Sequence, residues 1–476
     1  MQKIYILGIC GTAMATIAIL LKEKGLEVVG SDTGIFPPMS DLLKKYQIPV
    51  HESFTEDHII QSGADLFVIG NAITRNNLEL EYILDHKLPY CSGAEALRRF
   101  FLWESRNIIV TGTHGKTTTT SMLAYIFNYA PDSPGASFFI GGLMENFQTS
   151  AAYHPHAPYF ILEGDEYDTA FFDKRSKFIH YLPETVIINN LEFDHADIFT
   201  SLPEIQKCFH HLVRIIPRNG LVIYNGDEPH IQPALKEVHC PALTFGTQSH
   251  HDLVVEYHGI NPQGLTVGSF HYQNRTYPVS LQVLGEHNLM NAAGAFLAAQ
   301  HYRIPVPAIL QALSRFKGAR RRLSKIWEGA HKVLYDDFAH HPTAISKTLA
   351  TLHQLYPDYQ IILCQEFSNN TSYRNIHQKA YIHAFSPART VLFKLHPRYY
   401  RLPETEKLKL DELTHDLADQ GIQASFFANT SDLFQTLIPL IHPRQKQVIL
   451  VGGSATFDGL LHQLKTYLTH TFHGKE

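Results

Sequence analysis

The stretch Ile109-Val110-Thr111-Gly112-Thr113-His114-Gly115-Lys116-Thr117-Thr118 has the residue types and spacing of a phosphate-binding loop. A β-branched run ends in a glycine-containing loop, and Lys-Thr-Thr then opens a helical segment. In such a layout, backbone N–H groups and the positive end of a helix face an anion. Lys116 would reach the β/γ-phosphates of a nucleoside triphosphate, and the Thr117 hydroxyl would ligate Mg²⁺. The general pattern G-x-x-x-x-G-K-[ST] places its first glycine at position 110, which is valine here. Gly112 instead stands only three residues before Gly115, an unusually short spacing.

Such a loop needs metal and substrate partners, and five polar clusters are candidates. Glu163-Gly164-Asp165-Glu166-Tyr167-Asp168 follows an apolar run at 160–162, and acids at a strand end beside a phosphate loop suit Mg²⁺. A solvated acidic loop is the other reading. Asn189-Asn190-Leu191-Glu192-Phe193-Asp194-His195 follows a second β-branched run. In a parallel sheet, the ends of the strands finishing near 110, 162 and 188 share one edge. Gly285-Glu286-His287-Asn288-Leu289-Met290-Asn291 sits at a helix start, where its asparagines either cap the helix or read an adenine edge. Arg320-Arg321-Arg322 is either a solvated patch or the source of one arginine closing on the triphosphate from another domain. Asp336-Asp337-Phe338-Ala339-His340-His341-Pro342 adds a carboxylate at a strand end, suited to a ribose.

The elements that must position these residues follow from length and periodicity. A chain of 476 residues is too long for one core. Residues 3–9 read as a buried strand, followed by Gly8 and Gly11, a helical pattern, and a second strand ending at Asp32. This is a βαβ unit with an acid about twenty residues past the turn. Ala13 and Met14 stand where the dinucleotide fingerprint wants its last glycine, so the turn reads either as a tight βα connection or as a nucleotide-diphosphate site. Asn71 ends a further strand near the same edge. Boundaries are expected near 103–106 and 317–318, giving units 1–104, 105–317 and 318–476. Helices are expected at about 203–215, 288–301 and 306–316. Short alternating runs at 253–283 predict a small antiparallel sheet or hairpins. The fold class is α/β with three domains: an N-terminal Rossmann-like unit, a central P-loop ATPase-like parallel sheet with a small antiparallel sheet, and a C-terminal Rossmann-like unit.

Composition narrows the partners. The net charge is −5 and there is no basic stripe, which argues against nucleic acid. Five scattered cysteines without a C-x-x-C pair fit a reducing cytoplasm. No apolar run approaches the roughly 18 residues of a spanning helix, so no membrane partner is expected.

The motifs GTHGKTT, EGDEYD, NNLEFDH, GEHNLMN, ARRR and YDDFAHHPTA occur in the order and approximate spacing of the Mur ligases, which this chain resembles over most of residues 3–345. Within that family the resemblance is greatest to the branch joining UDP-N-acetylmuramate to the recycled murein tripeptide L-alanyl-γ-D-glutamyl-meso-diaminopimelate. The stretches 6–12, 36–40, 68–72, 165–178 and 190–199 carry that assignment, and the sister branch adding L-alanine is not expected to share the FFDKRSKF segment. The resemblance implies an ATP-dependent ligase of peptidoglycan recycling that works through an acyl phosphate, with Mg²⁺ as cofactor, as a monomer or weak homo-oligomer. It implies that Lys116, Asn190, His195 and Arg322 are catalytic. Gly112, Thr113, His114, Gly115, Lys116, Thr117, Thr118, His287, Asn288, Asn291, Arg322 and Asp337 would bind ATP. Thr117, Glu163 and His195 would surround the metal. Gly8, Gly11, Thr12, Asp32 and Asn71 would hold the UDP-sugar.

The chain departs from the family in three places. Several Mur ligases carry a carbamylated lysine about fifteen residues after the metal histidine; here that position is His210, with Lys207 nearby. An E-P-R-S-N-T segment expected in the C-terminal domain reads Glu366-Phe367-Ser368-Asn369-Asn370-Thr371, without its arginine. A glycine-rich S-N-G-G-F-G-G segment survives only as residues 453–459. An arginine pairing with peptide carboxylates is a major specificity contact, and Arg374 is the nearby candidate for that role. Two other readings are a nucleotide-sugar sensor with a decayed acceptor site and an NAD-dependent dehydrogenase. The second rests on residues 6–32 alone and leaves the Lys116 loop unexplained.

Overall fold

A computed structural model describes residues 2–37, 39–130 and 133–472. Pro38, part of the 36–40 stretch singled out above, lies outside the described residues.

The N-terminal sheet has five parallel strands, in the spatial order Val50–His51, Glu27–Ser31, Lys3–Leu7, Leu66–Ile69 and Tyr90–Ser92. The central pair is buried on both faces, which is why Ile4, Tyr5, Ile6 and Leu7 form an unbroken apolar run without polar alternation. In chain order the arrangement is 3-2-1-4-5, that of a doubly wound nucleotide-binding sheet, and its ligand edge lies beyond the strand carboxyl ends.

The central sheet has ten strands. At its middle, Arg106–Thr111 lies between Pro183–Ile188 and Tyr159–Glu163, all parallel, with Ile188 opposite Thr111 and Val110 opposite Glu163. The three polar clusters therefore leave the sheet at one edge, side by side, as the sequence predicts. The helices Lys116–Tyr129 and Glu286–His301 pack against one another. Residues Thr117 through Phe127 are all buried, so the first of these helices is a core element. Each fully buried side chain of the size of Phe127 contributes about 1.5–3 kcal/mol relative to exposure. The helix expected at 203–215 is Leu202–Arg214.

The antiparallel region expected at 253–283 is formed by Leu253–Ile260, Thr266–Tyr272 and Arg275–Leu281. It is not separate: Leu253–Ile260 pairs in parallel with Ala242–Gly246, so the hairpins extend the central sheet. A second antiparallel pair, Asp168–Ala170 with Asp173–Ser176, takes its turn and second strand from the FFDKRSKF segment. Its tip residues Phe171 and Phe172 pack against the N-terminal core, with the Phe172 and Tyr90 ring centroids 5.1 Å apart.

The C-terminal sheet has six strands, in the order Ser324–Gly329, Lys332–Asp337, Gln447–Gly452, Gln360–Phe367, Thr390–Leu395 and Gln423–Phe427. The first pair is antiparallel and the rest are parallel. Arg320 N–H donates to the Leu143 carbonyl at 2.9 Å, tying the entry of this unit to the central sheet. Among the described residues, no helix is long and apolar enough to cross a membrane.

Candidate active site

The short glycine spacing of the loop has a steric cause. Gly112 has φ +128°, and a Cβ there would lie 2.8 Å from the Asn190 carbonyl oxygen. Gly115 has φ +81°, and its Cβ would lie 2.4 Å from Asn291 Oδ1. The loop is pressed between the segment after Pro183–Ile188 and the helix Glu286–His301, and only glycine meets both demands. Asn190 holds it from outside: its Oδ1 accepts from His114 N at 2.7 Å, and its carbonyl accepts from Thr113 N at 3.2 Å. Asn189 Nδ2 donates to Thr119 Oγ1 at 3.0 Å.

Lys116 is the first residue of its helix, and its Nζ donates to the Gly112 carbonyl at 2.7 Å and to Glu166 Oε2 at 2.9 Å. Thr117 Oγ1 donates to Glu163 Oε1 at 2.9 Å, and Glu163 Oε2 accepts from Gly141 N at 2.7 Å. Arg322 Nη2 donates to Thr117 Oγ1 at 2.9 Å. The carboxylate Glu166, not singled out by sequence reading, joins Lys116 to His195: its Oε1 lies 3.2 Å from His195 Nε2. Burial favours its neutral form, but Lys116 and His195 outweigh that and hold it down at about 2. Burial alone lowers the His195 pKa, yet the Glu166 hydrogen bond and charge lift it to about 9. His195 has φ +55°, an uncommon conformation of the kind found at functional sites.

The donor set suits a hard divalent cation. Burial, reinforced by Asp165, raises the Glu163 pKa, so a buried carboxylate beside a hydroxyl is held at a cost that a cation would relieve. Thr117 and Glu163 are in direct contact, whereas His195 is drawn to Glu166.

At the start of the helix Glu286–His301, Asn288 Nδ2 donates to the Leu284 carbonyl at 2.8 Å, and Asn291 Nδ2 donates to Asn288 Oδ1 at 3.1 Å. Burial, with the Lys347 charge nearby, pushes His287 down to about 4, so its imidazole is neutral. Asp337 is buried and its oxygens accept from Ala339 N and Thr348 Oγ1 at 3.1 and 2.8 Å. One cavity of about 1480 Å³ is lined by Thr113, His114, Gly115, Lys116, Thr117, Thr118, Glu163, Asn190, His195, His287, Asn288, Asn291, Arg322 and Asp337. That volume exceeds the usual small-molecule pocket and leaves room for more than one substrate.

Of the five N-terminal candidates, Thr12 lines this cavity. Asp32 organises the turn before it, accepting from Cys10 N at 2.8 Å and from Thr33 N and Gly34 N at 2.8 and 3.0 Å. Gly8 N donates to the Ser31 carbonyl, and Gly11 caps the helix Thr12–Glu23. Asn71 follows the strand Leu66–Ile69, and its neighbour Ala72 lines, with Thr33, a second cavity of about 460 Å³. Arg374 pairs with Glu406 and donates to the Asn370 carbonyl. Arg398 lines the large cavity beside Ser368, Asn369 and Asn370. His210 bonds the Ala234 carbonyl at 3.3 Å, on the helix Leu202–Arg214.

Three family models align with the three sheets in turn: the Mur ligase family catalytic domain at residues 3–102, the Mur ligase middle domain at 110–299, and the Mur ligase glutamate ligase domain at 321–455. The chain belongs to the Mur ligase family. Within it, the chain is 37% identical over 461 residues to the UDP-N-acetylmuramate--L-alanyl-gamma-D-glutamyl-meso-2,6-diaminoheptandioate ligase of Haemophilus influenzae, covering 95% of this chain and 97% of that one. It is 43% identical over 356 residues to the Escherichia coli protein of the same name, covering 74% and 75% respectively. Among solved structures, the murein peptide ligase of Psychrobacter arcticus superposes with a TM-score of 0.72 at 33% identity, covering 98% of this chain and 99% of that one.

Proposed function

We propose that this chain is an ATP-dependent ligase that joins UDP-N-acetylmuramate to L-alanyl-γ-D-glutamyl-meso-diaminopimelate, in murein recycling. The N-terminal unit, residues 1–104, binds the UDP-sugar. Residues 105–317 bind ATP, and residues 318–476 close over the nucleotide and receive the peptide. The reaction uses ATP and a UDP-sugar and belongs in the cytoplasm.

The observation that carries this reading is that Lys116, opening a helix of the central unit, and Arg322, at the entry to the C-terminal unit, line one cavity, with Arg322 bonded to Thr117. A carboxylate is a poor electrophile until phosphorylated. The γ-phosphoryl group passes to the lactyl carboxylate of the sugar and ADP leaves. The free amine of the alanyl peptide then attacks the acyl carbon. The tetrahedral intermediate loses a proton from nitrogen and expels inorganic phosphate, leaving the amide. The protein's work is positioning and charge neutralisation.

Lys116, poised by Glu166, meets the β- and γ-phosphates when ATP displaces its contact with the Gly112 carbonyl. Arg322 meets the γ-phosphate. His287, Asn288 and Asn291 face the adenine, and Asp337 the ribose. Thr117, Glu163 and His195 would hold Mg²⁺, which when bound supplies neutralisation of phosphate charge. Arg398 is the cavity's cation beside the altered 366–371 segment and is the contact we assign to an acceptor carboxylate. Coupled ADP release with UDP-N-acetylmuramate and the tripeptide tests the reading; binding of both nucleotides without turnover on any alanyl peptide would favour a sensor instead.

A further inference from the structure

We propose that His114, Glu192 and His341 form a second metal site, of zinc type, that clasps the phosphate loop to the C-terminal unit. One ligand atom from each residue lies within 4.8 Å of the other two. Glu192 Oε2 is 3.7 Å from His114 Nε2 and 3.4 Å from His341 Nδ1. Donors around a tetrahedral Zn²⁺ with bonds of about 2.0–2.2 Å stand roughly 3.4 Å apart, so small side-chain adjustments complete the geometry.

The second observation is the state of the imidazoles. His341 is 6% exposed; its Nδ1, the atom facing Glu192, accepts from Thr343 N at 3.3 Å, a long bond that an ion would replace, and its Nε2 is buried without a partner. His114 Nε2 is in the same condition. Their ring centroids are 4.6 Å apart. The His377 ring, 4.5 Å from that of His341, closes the far side of the cluster. Buried polar atoms are nearly always satisfied, and the unpartnered His114 Nε2, facing the same Glu192 oxygen as His341 Nδ1, marks a place for an electrophile. Two imidazoles with one carboxylate select zinc-like ions over the hard, oxygen-seeking Mg²⁺. The site is thus chemically distinct from Thr117, Glu163 and His195.

Its position gives it a consequence. His114 belongs to the phosphate loop, Glu192 to the segment after Pro183–Ile188, and His341 caps the helix Pro342–Leu355 of the C-terminal unit. Glu192 Oε2 already accepts from Thr343 Oγ1 at 2.6 Å across that junction. An ion there fixes the C-terminal unit on the loop.

The test is a Zn²⁺ titration of the full-length protein, stripped of transition metals and kept in excess Mg²⁺, against a chromophoric chelator. The wild type is expected to bind one tight equivalent. Glu192→Gln and His341→Asn should weaken it by at least about 100-fold. Asn preserves the helix cap, so circular dichroism and the melting temperature should stay near wild type. Glu163→Gln should retain the equivalent. Absence of tight zinc binding in the wild type, unchanged affinity in His341→Asn, or loss of the equivalent in Glu163→Gln would overturn the proposal.

Discussion

Arg322 Nη2 donates to the Thr117 hydroxyl at 2.9 Å, although 205 positions separate the two residues. The arginine stands between the central and C-terminal sheets, its guanidinium carbon 4.9 Å from the centre of the Phe338 ring. Burial lowers its pKa while the Glu163 and Asp337 charges oppose the shift, and an arginine stays protonated regardless. Charge that develops on a transferring phosphoryl group is met by such a preplaced donor.

Replacing this fork by a point charge tests its geometry. Arg322→Lys should lower kcat by about 10²–10³-fold, with the KM for UDP-N-acetylmuramate little changed. Steady-state kinetics at saturating ATP report both; an equal loss in KM for the sugar would place Arg322 in ground-state binding.

Lys116→Ala should reduce turnover by at least about 10³-fold while leaving UDP-sugar binding to the N-terminal unit intact. Isothermal titration with UDP-N-acetylmuramate checks the second half. Ligation retained in this variant refutes the assigned role.

The acceptor side rests on Arg398. Arg398→Ala should raise the KM for the tripeptide by about 10–100-fold, as expected for loss of a charge-assisted hydrogen bond, with KM for ATP unaffected. Arg374→Ala should not show that split, because Arg374 is occupied by Glu406 and the Asn370 carbonyl. The reverse outcome would return the role to Arg374.

A buried acid in the N-terminal sheet predicts a pH signature. Glu79 is fully buried and accepts from the Tyr5 hydroxyl, the Ser31 hydroxyl and Thr55 N. Burial raises its pKa above the ordinary 4.5, despite those hydrogen bonds. A carboxyl with a raised folded pKa takes up a proton on folding. Its stability contribution is therefore full below 4.5 and is lost as pH rises through the folded value. Glu79→Gln removes this titration. Melting temperatures of wild type and variant should diverge, to the variant's advantage, as pH rises through that window. A constant difference across the range contradicts the argument.

The parts of this site legible in the sequence were those written in contiguous residues. The loop at 109–118, the acids after 162 and the polar run after 188 each follow an apolar strand, and parallel pairing puts them on one edge. Pairings among long-range elements were not legible. Nothing in Glu163-Gly164-Asp165-Glu166 says that Glu166 would be the carboxylate gripping both Lys116 and His195, because that depends on where the strand turns at its exit. The alternating runs at 253–283 signalled hairpins, but their parallel docking on Ala242–Gly246 depends on strand order across the whole central sheet. Arg398 follows a buried strand in the C-terminal unit, and only the fold carries it to the cavity. Sequence offers Asn291 as a helix cap or an adenine contact; its Oδ1 also packs on Gly115, which explains the glycine there.

The most direct measurement is ADP release by the purified protein at fixed ATP, Mg²⁺ and UDP-N-acetylmuramate, with L-alanine and L-alanyl-γ-D-glutamyl-meso-diaminopimelate offered separately. The account predicts turnover with the tripeptide, formation of the UDP-N-acetylmuramoyl-tripeptide, and negligible turnover with L-alanine. Turnover with L-alanine and none with the tripeptide would contradict it.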